Sequence, residues 1–279
     1  MEKVKRLKEI LRRLRKVLIA YSGGVDSTFL LKISVDTLGK ENVIAVTARS
    51  EIYPLREYEF AKRFCSLLGV RHIVIKTSEL KIKGFRKNPP ERCYFCKKEL
   101  FSKLKEIAKK YSIKYVLDGS NYSDTSDYRP GFKAKKEMGI KSPLIEARLT
   151  KKEIREFSKR LNLPTKDKGS FACLASRFPY GEEITKEKLK MIDKAEDYIY
   201  KLGFKEFRVR YHNLDGKSLA RVEINKNEFS KLNPEVFERI FKYFKRIGFD
   251  FVTLDLEGYK RGKMNRFLRV FNPKSGSHS

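Results

Sequence analysis

Two serines, two glycines and an aspartate lie together near the start of the chain, in the stretch AYSGGVDST at residues 20–28. An apolar run precedes them and an apolar helical pattern follows, which predicts a strand, a tight loop and the start of a helix. Glycines let a backbone approach a ligand closely, and the first N–H groups of a helix have no partner inside it. With the hydroxyls of Ser22, Ser27 and Thr28, this arrangement favours a phosphate or pyrophosphate site. The alternative is a plain strand–helix turn in which Asp26 caps the helix.

Cysteines form the second group of residues whose spacing could do chemistry. Cys93 and Cys96 stand in a Cys-x-x-Cys motif, and Cys173 lies in a separate stretch of the chain. A Cys-x-x-Cys pair can share a metal ion or cluster, and the motif alone also fits half a zinc site or a redox pair. The three histidines have no zinc-finger spacing, whereas three thiolates can bind three corners of a [4Fe–4S] cluster and leave the fourth iron open. Cys65 lies on the apolar face of a predicted helix and is interpreted as a structural residue.

Alternating strands and helices must position these groups. β-Rich apolar runs recur between amphipathic stretches, and they predict strands at residues 17–20, 42–48, 72–77 and 114–120. This alternation predicts an α/β fold, with a parallel sheet and helices on both faces. The serine loop then lies beyond the carboxyl end of the first strand, where ligands bind in such sheets. Thr150 and Glu153 have the spacing of a capping box at the start of a later helix.

The pattern changes near residue 180. The order α-β-β-α-β follows, which predicts a small α+β domain. We therefore expect two domains, 1–179 for the nucleotide and 180–279 for substrate binding or oligomerisation. The tail at 272–279 has the composition of a disordered segment.

Charge is the most unusual property of the composition. The 279 residues include 64 Lys and Arg against 35 Asp and Glu, a formal net charge of +29. Such a surplus suggests a polyanionic partner such as RNA, and a lysine-rich, heat-adapted surface is the alternative. No apolar run approaches the roughly 20 residues of a membrane span, and the start lacks a signal-peptide core. We expect a soluble, cytoplasmic protein.

Several stretches together resemble one family along about residues 15–260: SGGVDS, NPPERCYFCKKELF, DGSNYSD, and the long block from SPLIEARLTKK to FPYGEEIT. They resemble LarE-type ATP-dependent sulfur transferases, which belong to the PP-loop ATP pyrophosphatase superfamily. That superfamily splits ATP between the α- and β-phosphates and adenylylates a substrate. The resemblance implies an enzyme that converts pyridinium-3,5-biscarboxylic acid mononucleotide to its thiocarboxylate form for nickel-pincer cofactor synthesis.

The resemblance also implies roles for the serine loop. The residues that would hold the leaving pyrophosphate are Ser22, Gly23, Gly24, Asp26 and Ser27. Asp26 would work with Mg²⁺, which neutralises charge on leaving phosphates. Asp118 and Asp124 are candidates to contact nucleotide or substrate, and Asp118 could equally cap a turn.

Arginines are the candidates for substrate binding. Arg208 and Arg210 alternate along a predicted strand and therefore share a face. The resemblance places them near substrate phosphate or carboxylates, which suit a guanidinium fork, and Arg177 is a similar candidate. A solvated basic face is the alternative. Glu223 is a candidate to bind a cation, with an exposed strand carboxylate as the alternative.

The source of the sulfur follows from the cysteines. In single-cysteine members of the family, the cysteine that matches Cys173 gives up its own sulfur and becomes dehydroalanine. This sequence departs from that pattern by adding Cys93 and Cys96, and so resembles a branch in which all three cysteines ligate a [4Fe–4S] cluster. Sulfide on the open iron would then be the donor. A sacrificial Cys173, structural zinc, or no metal at all are the alternatives.

Rival functions share parts of this pattern. A tRNA thiolase has the same loop and cluster and fits the positive charge, but no Cys/His module for RNA is evident in the sequence. An amide-forming ligase such as an ammonia-using NAD synthetase would not need the three cysteines. A non-enzymatic nucleotide- or RNA-binding protein is a third reading. We expect a small mononucleotide substrate, a sulfide or other sulfur donor, and a homo-oligomer, with nucleic acid less favoured.

Overall fold

The structure is a computed structural model, which describes residues 2–126, 130–169, 172–260 and 262–265. The predicted disordered tail at 272–279 lies outside the described residues. Among the described helices, none has the length and apolar character that crossing a membrane requires.

The chain divides into two compact units. The first comprises described residues of Met1–Ser78 and Glu91–Phe171, and the second those of Glu79–Pro90 and Ala172–Ser279. The chain thus leaves the first unit, contributes a short segment to the second, and returns. The domain ranges expected from the sequence stay a prediction, and the compact units divide the chain at other residues.

The first unit contains a sheet and its surrounding helices. Its elements are α1 (Glu2–Leu14), β1 (Val17–Ala20), α2 (Val25–Leu38), β2 (Val43–Arg49), α3 (Leu55–Leu67), β3 (Arg71–Lys76), α4 (Arg92–Lys110), β4 (Tyr115–Leu117), α5 (Gly131–Glu137), α6 (Pro143–Glu146) and α7 (Lys151–Arg160). The strands are all parallel and lie in the order β3-β2-β1-β4. The predicted α/β fold is confirmed.

Helices cover both faces of this sheet because strand side chains alternate. Ile19 of β1 lies in one core with Leu30 of α2 and Ile154 of α7. Its neighbour Leu18 lies in the other core, against Phe101 of α4. The central strand is therefore apolar on both sides, and its polar residues come only where it ends.

The turn after β1 needs glycine for two physical reasons. Gly23 has φ +63°, which L-residues other than glycine rarely adopt. A Cβ at this position would lie 3.1 Å from Cδ1 of Phe60 and 3.2 Å from the carbonyl oxygen of Glu57. The loop therefore packs directly against the backbone of α3.

The capping box at the start of α7 is confirmed. The Thr150 hydroxyl accepts a hydrogen bond from the Glu153 N–H at 3.3 Å, and the Glu153 carboxylate accepts from the Thr150 N–H at 2.9 Å. This cap fixes the first residue of α7, Lys151, whose side chain reaches the serine loop.

The second unit is a smaller α+β arrangement. Its elements are α8 (Lys186–Lys201), β5 (Phe207–Leu214), β6 (Lys217–Ile224), α9 (Pro234–Arg246) and β7 (Phe251–Leu254). The strands lie in the order β5-β6-β7, with β5 and β6 antiparallel and β6 and β7 parallel. Asp215 and Gly216 join β5 to β6 with φ +47° and +86°, as a tight hairpin turn requires. The predicted order α-β-β-α-β is confirmed.

The close approach at Gly23 predicts that Gly23→Ala destabilises the protein more than Gly139→Ala. Both glycines have φ +63°, so both variants carry the cost of about 1–2 kcal/mol for a left-handed L-residue. Gly139 has no atom within 4 Å of a new Cβ, whereas Gly23 adds overpacking of about 1–3 kcal/mol. Urea unfolding of the two variants measures the difference. Equal losses would show that the loop has room for a side chain.

Candidate functional site

The serine loop has the local geometry of an anion site. Helix α2 begins at Val25 with Gly24 at the N-cap, and no side chain caps it. The hydroxyl oxygens of Ser22 and Ser27 lie 3.1 Å apart, one on each side of the turn. The N–H groups of the first turn are therefore not covered by a capping side chain, and they face the polar loop. Asp26 lies in the first turn of the helix, so the alternative in which Asp26 caps it is wrong.

The two carboxylate oxygens of Asp26 have different surroundings. Its Oδ2 accepts a hydrogen bond from Nζ of Lys151 at 2.7 Å. Its Oδ1 is buried and has no hydrogen-bond partner among the described residues. A buried carboxylate oxygen without a donor suits Mg²⁺, which prefers oxygen ligands, so Asp26 fits the predicted metal role. Sequence analysis missed Lys151, because 125 residues separate it from Asp26 and no local motif joins them.

Asp118 lies at the carboxyl end of β4, beside the serine loop. It accepts hydrogen bonds from the hydroxyls of Ser120 at 2.6 Å and Ser142 at 2.5 Å. A Cβ on the next residue, Gly119, would lie 3.0 Å from Cα of Ser27. Asp118 is thus held in a turn that packs on the start of α2, while a contact with nucleotide stays a prediction.

Asp124 is held within its own turn. It accepts a hydrogen bond from the N–H of Asn121 at 3.1 Å. Its side chain is buried. Its predicted contact with nucleotide or substrate stays a prediction.

The four cysteines have different environments. Cys93 and Cys96 are the second and fifth residues of α4, three residues apart and so on one face of the helix. Cys93 is exposed and Cys96 is half-buried, whereas Cys65 is buried. Burial raises the pKa of the Cys65 thiol to about 12, which keeps it neutral and fits its structural role.

Cys173 belongs to the second compact unit, whereas Cys93 and Cys96 belong to the first. Within each unit, the described residues place no three His, Cys, Asp or Glu side chains together as a metal site. A cluster bound by all three cysteines therefore stays a prediction. Its support is the chemistry of the donors, two exposed or half-buried thiols on one helix face and a third half-buried thiol.

Arg177 holds the backbone at Cys173. Its Nη1 donates to the carbonyl oxygens of Ala172 and Cys173 at 2.9 and 3.0 Å. Its Nε and Nη2 donate to the two carboxylate oxygens of Glu196, each at 2.8 Å. Both side chains are almost completely buried. The position of Cys173 is therefore set by a fork-to-fork ion pair with a residue of α8, which sequence analysis did not identify.

Arg210 ties β5 to the same turn. Its Nη1 donates to the carbonyl oxygen of Ser176 at 3.0 Å, and its Nη2 donates to Oε2 of Glu223 at 2.9 Å. Arg210 is 5% exposed and Glu223 is 0% exposed. The alternatives of a solvated basic face and an exposed carboxylate are therefore wrong. The cations that Glu223 contacts are the guanidinium groups of Arg210 and Arg221, and a metal ion there stays a prediction.

Arg208 adds a third buried guanidinium. Its carbon Cζ lies 4.8 Å from the ring centre of Tyr259, and its Nη1 donates to the carbonyl oxygen of Phe207 at 2.6 Å. Burial lowers the pKa of Arg208 to about 10, and the positive charges of Arg177 and Arg210 add to that shift. This buried region, which we call the arginine cluster (Arg177, Arg208 and Arg210 with Glu196 and Glu223), carries a surplus positive charge. It is an environment that an anion would stabilise.

Comparisons with known proteins identify the family of the chain. The family model described as NAD synthase matches residues 3–168. The pyridinium-3,5-bisthiocarboxylic acid mononucleotide synthase of Lactiplantibacillus plantarum is 36% identical over 92% of each chain. A protein of Synechocystis sp., described as uncharacterised, is 43% identical over 95% of this chain and 98% of its own. One of the subunits of the glutamine-hydrolysing GMP synthase of Saccharolobus islandicus is 28% identical over 67% of this chain and 55% of its own.

The chain belongs to the LarE-type family of PP-loop ATP pyrophosphatases, and the NAD synthase family model matches most of its first unit, including the serine loop. It is an ATP-dependent enzyme. The resemblance stated from the sequence is confirmed, and the reading as a non-enzymatic binding protein is wrong.

Asp26→Ala should lower substrate-dependent ATP cleavage about a hundredfold or more, the scale on which removal of one charge-stabilising group acts. The fold should be retained, because Asp26 lies at the loop end of α2 and its side chain belongs to neither apolar core. Release of pyrophosphate and a melting curve measure the two effects.

Asp36→Ala is the matched control. Asp36 lies on the same helix and pairs with Lys32 at 2.6 Å, far from the loop end. The Asp36→Ala variant should cleave ATP at the normal rate. Retained cleavage in Asp26→Ala would contradict the assignment, as would unfolding of that variant alone.

Proposed function

We propose that this enzyme is an ATP-dependent sulfur transferase. It adenylylates a carboxylate of pyridinium-3,5-biscarboxylic acid mononucleotide and converts it to a thiocarboxylate for nickel-pincer cofactor synthesis. The observation that carries the proposal is the buried arginine cluster, in which Arg177 holds the backbone at Cys173, in a chain that also has the serine loop at the start of α2. The 36% identity to the Lactiplantibacillus enzyme supports the choice of substrate.

The first step needs the serine loop. A substrate carboxylate oxygen attacks the α-phosphorus of ATP, the bond from that phosphorus to the bridging oxygen breaks, and pyrophosphate leaves. The N-terminal turn of α2, the hydroxyls of Ser22 and Ser27, and Lys151 would stabilise the charge on the leaving pyrophosphate. Mg²⁺ bound at Asp26 would neutralise that charge further.

The second step explains why ATP is required. A carboxylate resists attack by sulfur because oxide would have to leave, whereas the acyl-adenylate has AMP as its leaving group. A sulfur nucleophile attacks the acyl carbon, and the bond between that carbon and the phosphate oxygen of AMP breaks. Arg208 and Arg210 would bind the phosphate or free carboxylate of the substrate. Glu196, through Arg177, would hold the backbone at Cys173 in position.

The sulfur source that we propose is a [4Fe–4S] cluster ligated by Cys93, Cys96 and Cys173. With three cysteine ligands, a bound cluster leaves one iron available for sulfide, which would be the donor. A cluster donor allows repeated turnover when sulfide is supplied. The competing route is a single use of the Cys173 sulfur, which needs no Cys-x-x-Cys partner.

Iron and sulfide analysis of anaerobically purified protein tests the sulfur source. We expect close to one four-iron cluster per chain and several thiocarboxylate products per chain with added sulfide. Single Cys→Ala changes at Cys93, Cys96 and Cys173 should each remove the cluster and the activity. Cys65→Ala is the control and should keep both, because Cys65 is a neutral core residue. Iron-free protein that loses the mass of H₂S at residue 173 after one turnover would replace the cluster with the sacrificial route.

A role for the arginine cluster in substrate binding predicts selective loss in Arg208→Gln. This change removes a charge-assisted contact of about 1.5–3 kcal/mol, so the affinity for the mononucleotide should fall about tenfold or more. ATP affinity should not change. A melting curve of the variant separates loss of substrate binding from loss of the fold. Arg246→Gln, at an exposed end of α9, is the control. Equal losses for ATP and substrate in calorimetric titrations would exclude this role.

A tRNA thiolase is the second candidate, and the net charge of +29 favours it. A tRNA complex whose affinity falls steeply with salt, as counterion release requires, would support it. Thiolation of the mononucleotide without added RNA would exclude RNA as the required substrate. The homo-oligomer and the roles of the two expected domains are further proposals, which light scattering and separately expressed domains test.

A further inference from the structure

Four consecutive carbonyl groups in the serine loop each accept a hydrogen bond. They belong to residues 21–24. Their donors are the Thr47 hydroxyl to Tyr21 at 2.9 Å, the Tyr53 hydroxyl to Ser22 at 2.5 Å, Nζ of Lys168 to Gly23 at 3.1 Å, and the Ser27 hydroxyl and Thr28 N–H to Gly24 at 3.2 and 2.9 Å. Two of these donors, Tyr53 and Lys168, lie outside the loop, the sheet and α2.

In a planar trans peptide, the C=O and the following N–H point in opposite directions. A donor that holds the carbonyl of Ser22 therefore directs the N–H of Gly23 to the other side, and a donor on Gly23 does the same for the N–H of Gly24. We propose that Tyr53 and Lys168 are positioning residues, which turn these two N–H groups towards the pyrophosphate.

Lys168 is held in place for this role. Its ammonium lies 2.6 Å from Oε2 of Glu57 and 4.1 Å from the ring centre of Phe60. The backbone that carries it is fixed by Arg155, whose Nη1 and Nη2 donate to the carbonyls of Lys166 and Lys168 at 3.3 and 2.8 Å. Burial lowers the pKa of Lys168, and the Glu57 carboxylate opposes that shift. The ammonium also adds a positive charge on the carbonyl side of the loop.

Tyr53 contacts the loop through its hydroxyl. Its ring is half-buried, and burial, with the nearby Glu57 carboxylate, raises the pKa of the phenol well above its usual value. Both effects favour the protonated phenol, which is the form that donates to the carbonyl of Ser22. Tyr53→Phe removes this donor and keeps the ring, so it isolates the hydrogen bond from the packing.

This inference rests on the proposed function, because it assumes that the loop binds pyrophosphate. The test is calorimetric titration with Mg²⁺–pyrophosphate and, separately, with AMP. The variants are Tyr53→Phe and the pair Lys168→Met with Glu57→Gln, in which the second change avoids a buried unpaired carboxylate. Lys168→Arg is the conservative rescue. Controls are Tyr58→Phe on α3 and Lys166→Met, whose ammonium bonds to Asn162 instead.

We expect Tyr53→Phe to weaken pyrophosphate binding about two- to tenfold and the lysine variant about tenfold or more, as neutral and charge-assisted hydrogen bonds differ. AMP binding and the controls should not change, and Lys168→Arg should recover part of the loss. Normal pyrophosphate affinity in both variants overturns this inference but not the assignment of the loop to pyrophosphate. Parallel loss of AMP affinity and melting temperature also overturns it, because the residues would then be structural. A natural enzyme that does not bind pyrophosphate overturns the loop assignment itself.

Discussion

The close approach of Gly23 to the backbone of α3 is the constraint on which the first unit depends. The central strand β1 is buried on both faces, so the chain can turn towards α2 only at its carboxyl end. Gly23 makes that turn in the left-handed conformation, and a Cβ at this position would lie 3.2 Å from the carbonyl oxygen of Glu57. Because the turn packs against α3, the direction in which α2 begins is fixed, and the N–H groups of its first turn face the carboxyl end of the sheet.

The sequence was informative about the elements because their signals are local. The alternation of strands and helices and the capping box at Thr150 each depend on residues close together in the chain, and both are confirmed. The partners of the loop could not be found in the same way. Lys151 and Lys168 reach it from 125 and 145 residues away, through packing that no periodicity records.

The arginines show a second limit of sequence patterns. Alternation along β5 correctly places Arg208 and Arg210 on one face, but a pattern of charged residues normally marks a face in contact with water. Here Glu223 of β6 accepts a hydrogen bond from Arg210, and the carboxylate of Glu196 on α8 favours the charged form of Arg208. Whether a charged face is covered depends on elements elsewhere in the chain, so it follows from the tertiary structure and not from the strand itself.

Burial of three guanidinium groups with two carboxylates is costly, because each ion loses its water and the pairs return only part of that free energy. Burial, and then the positive charges of Arg177 and Arg210, lower the pKa of Arg208 to about 10. Linkage requires that an anion which lowers the cost for Arg208 is itself bound more tightly, and that its binding stabilises the folded unit. A phosphate or carboxylate of the proposed substrate is such an anion, and it would relieve the repulsion of Arg208 by the guanidinium groups of Arg177 and Arg210.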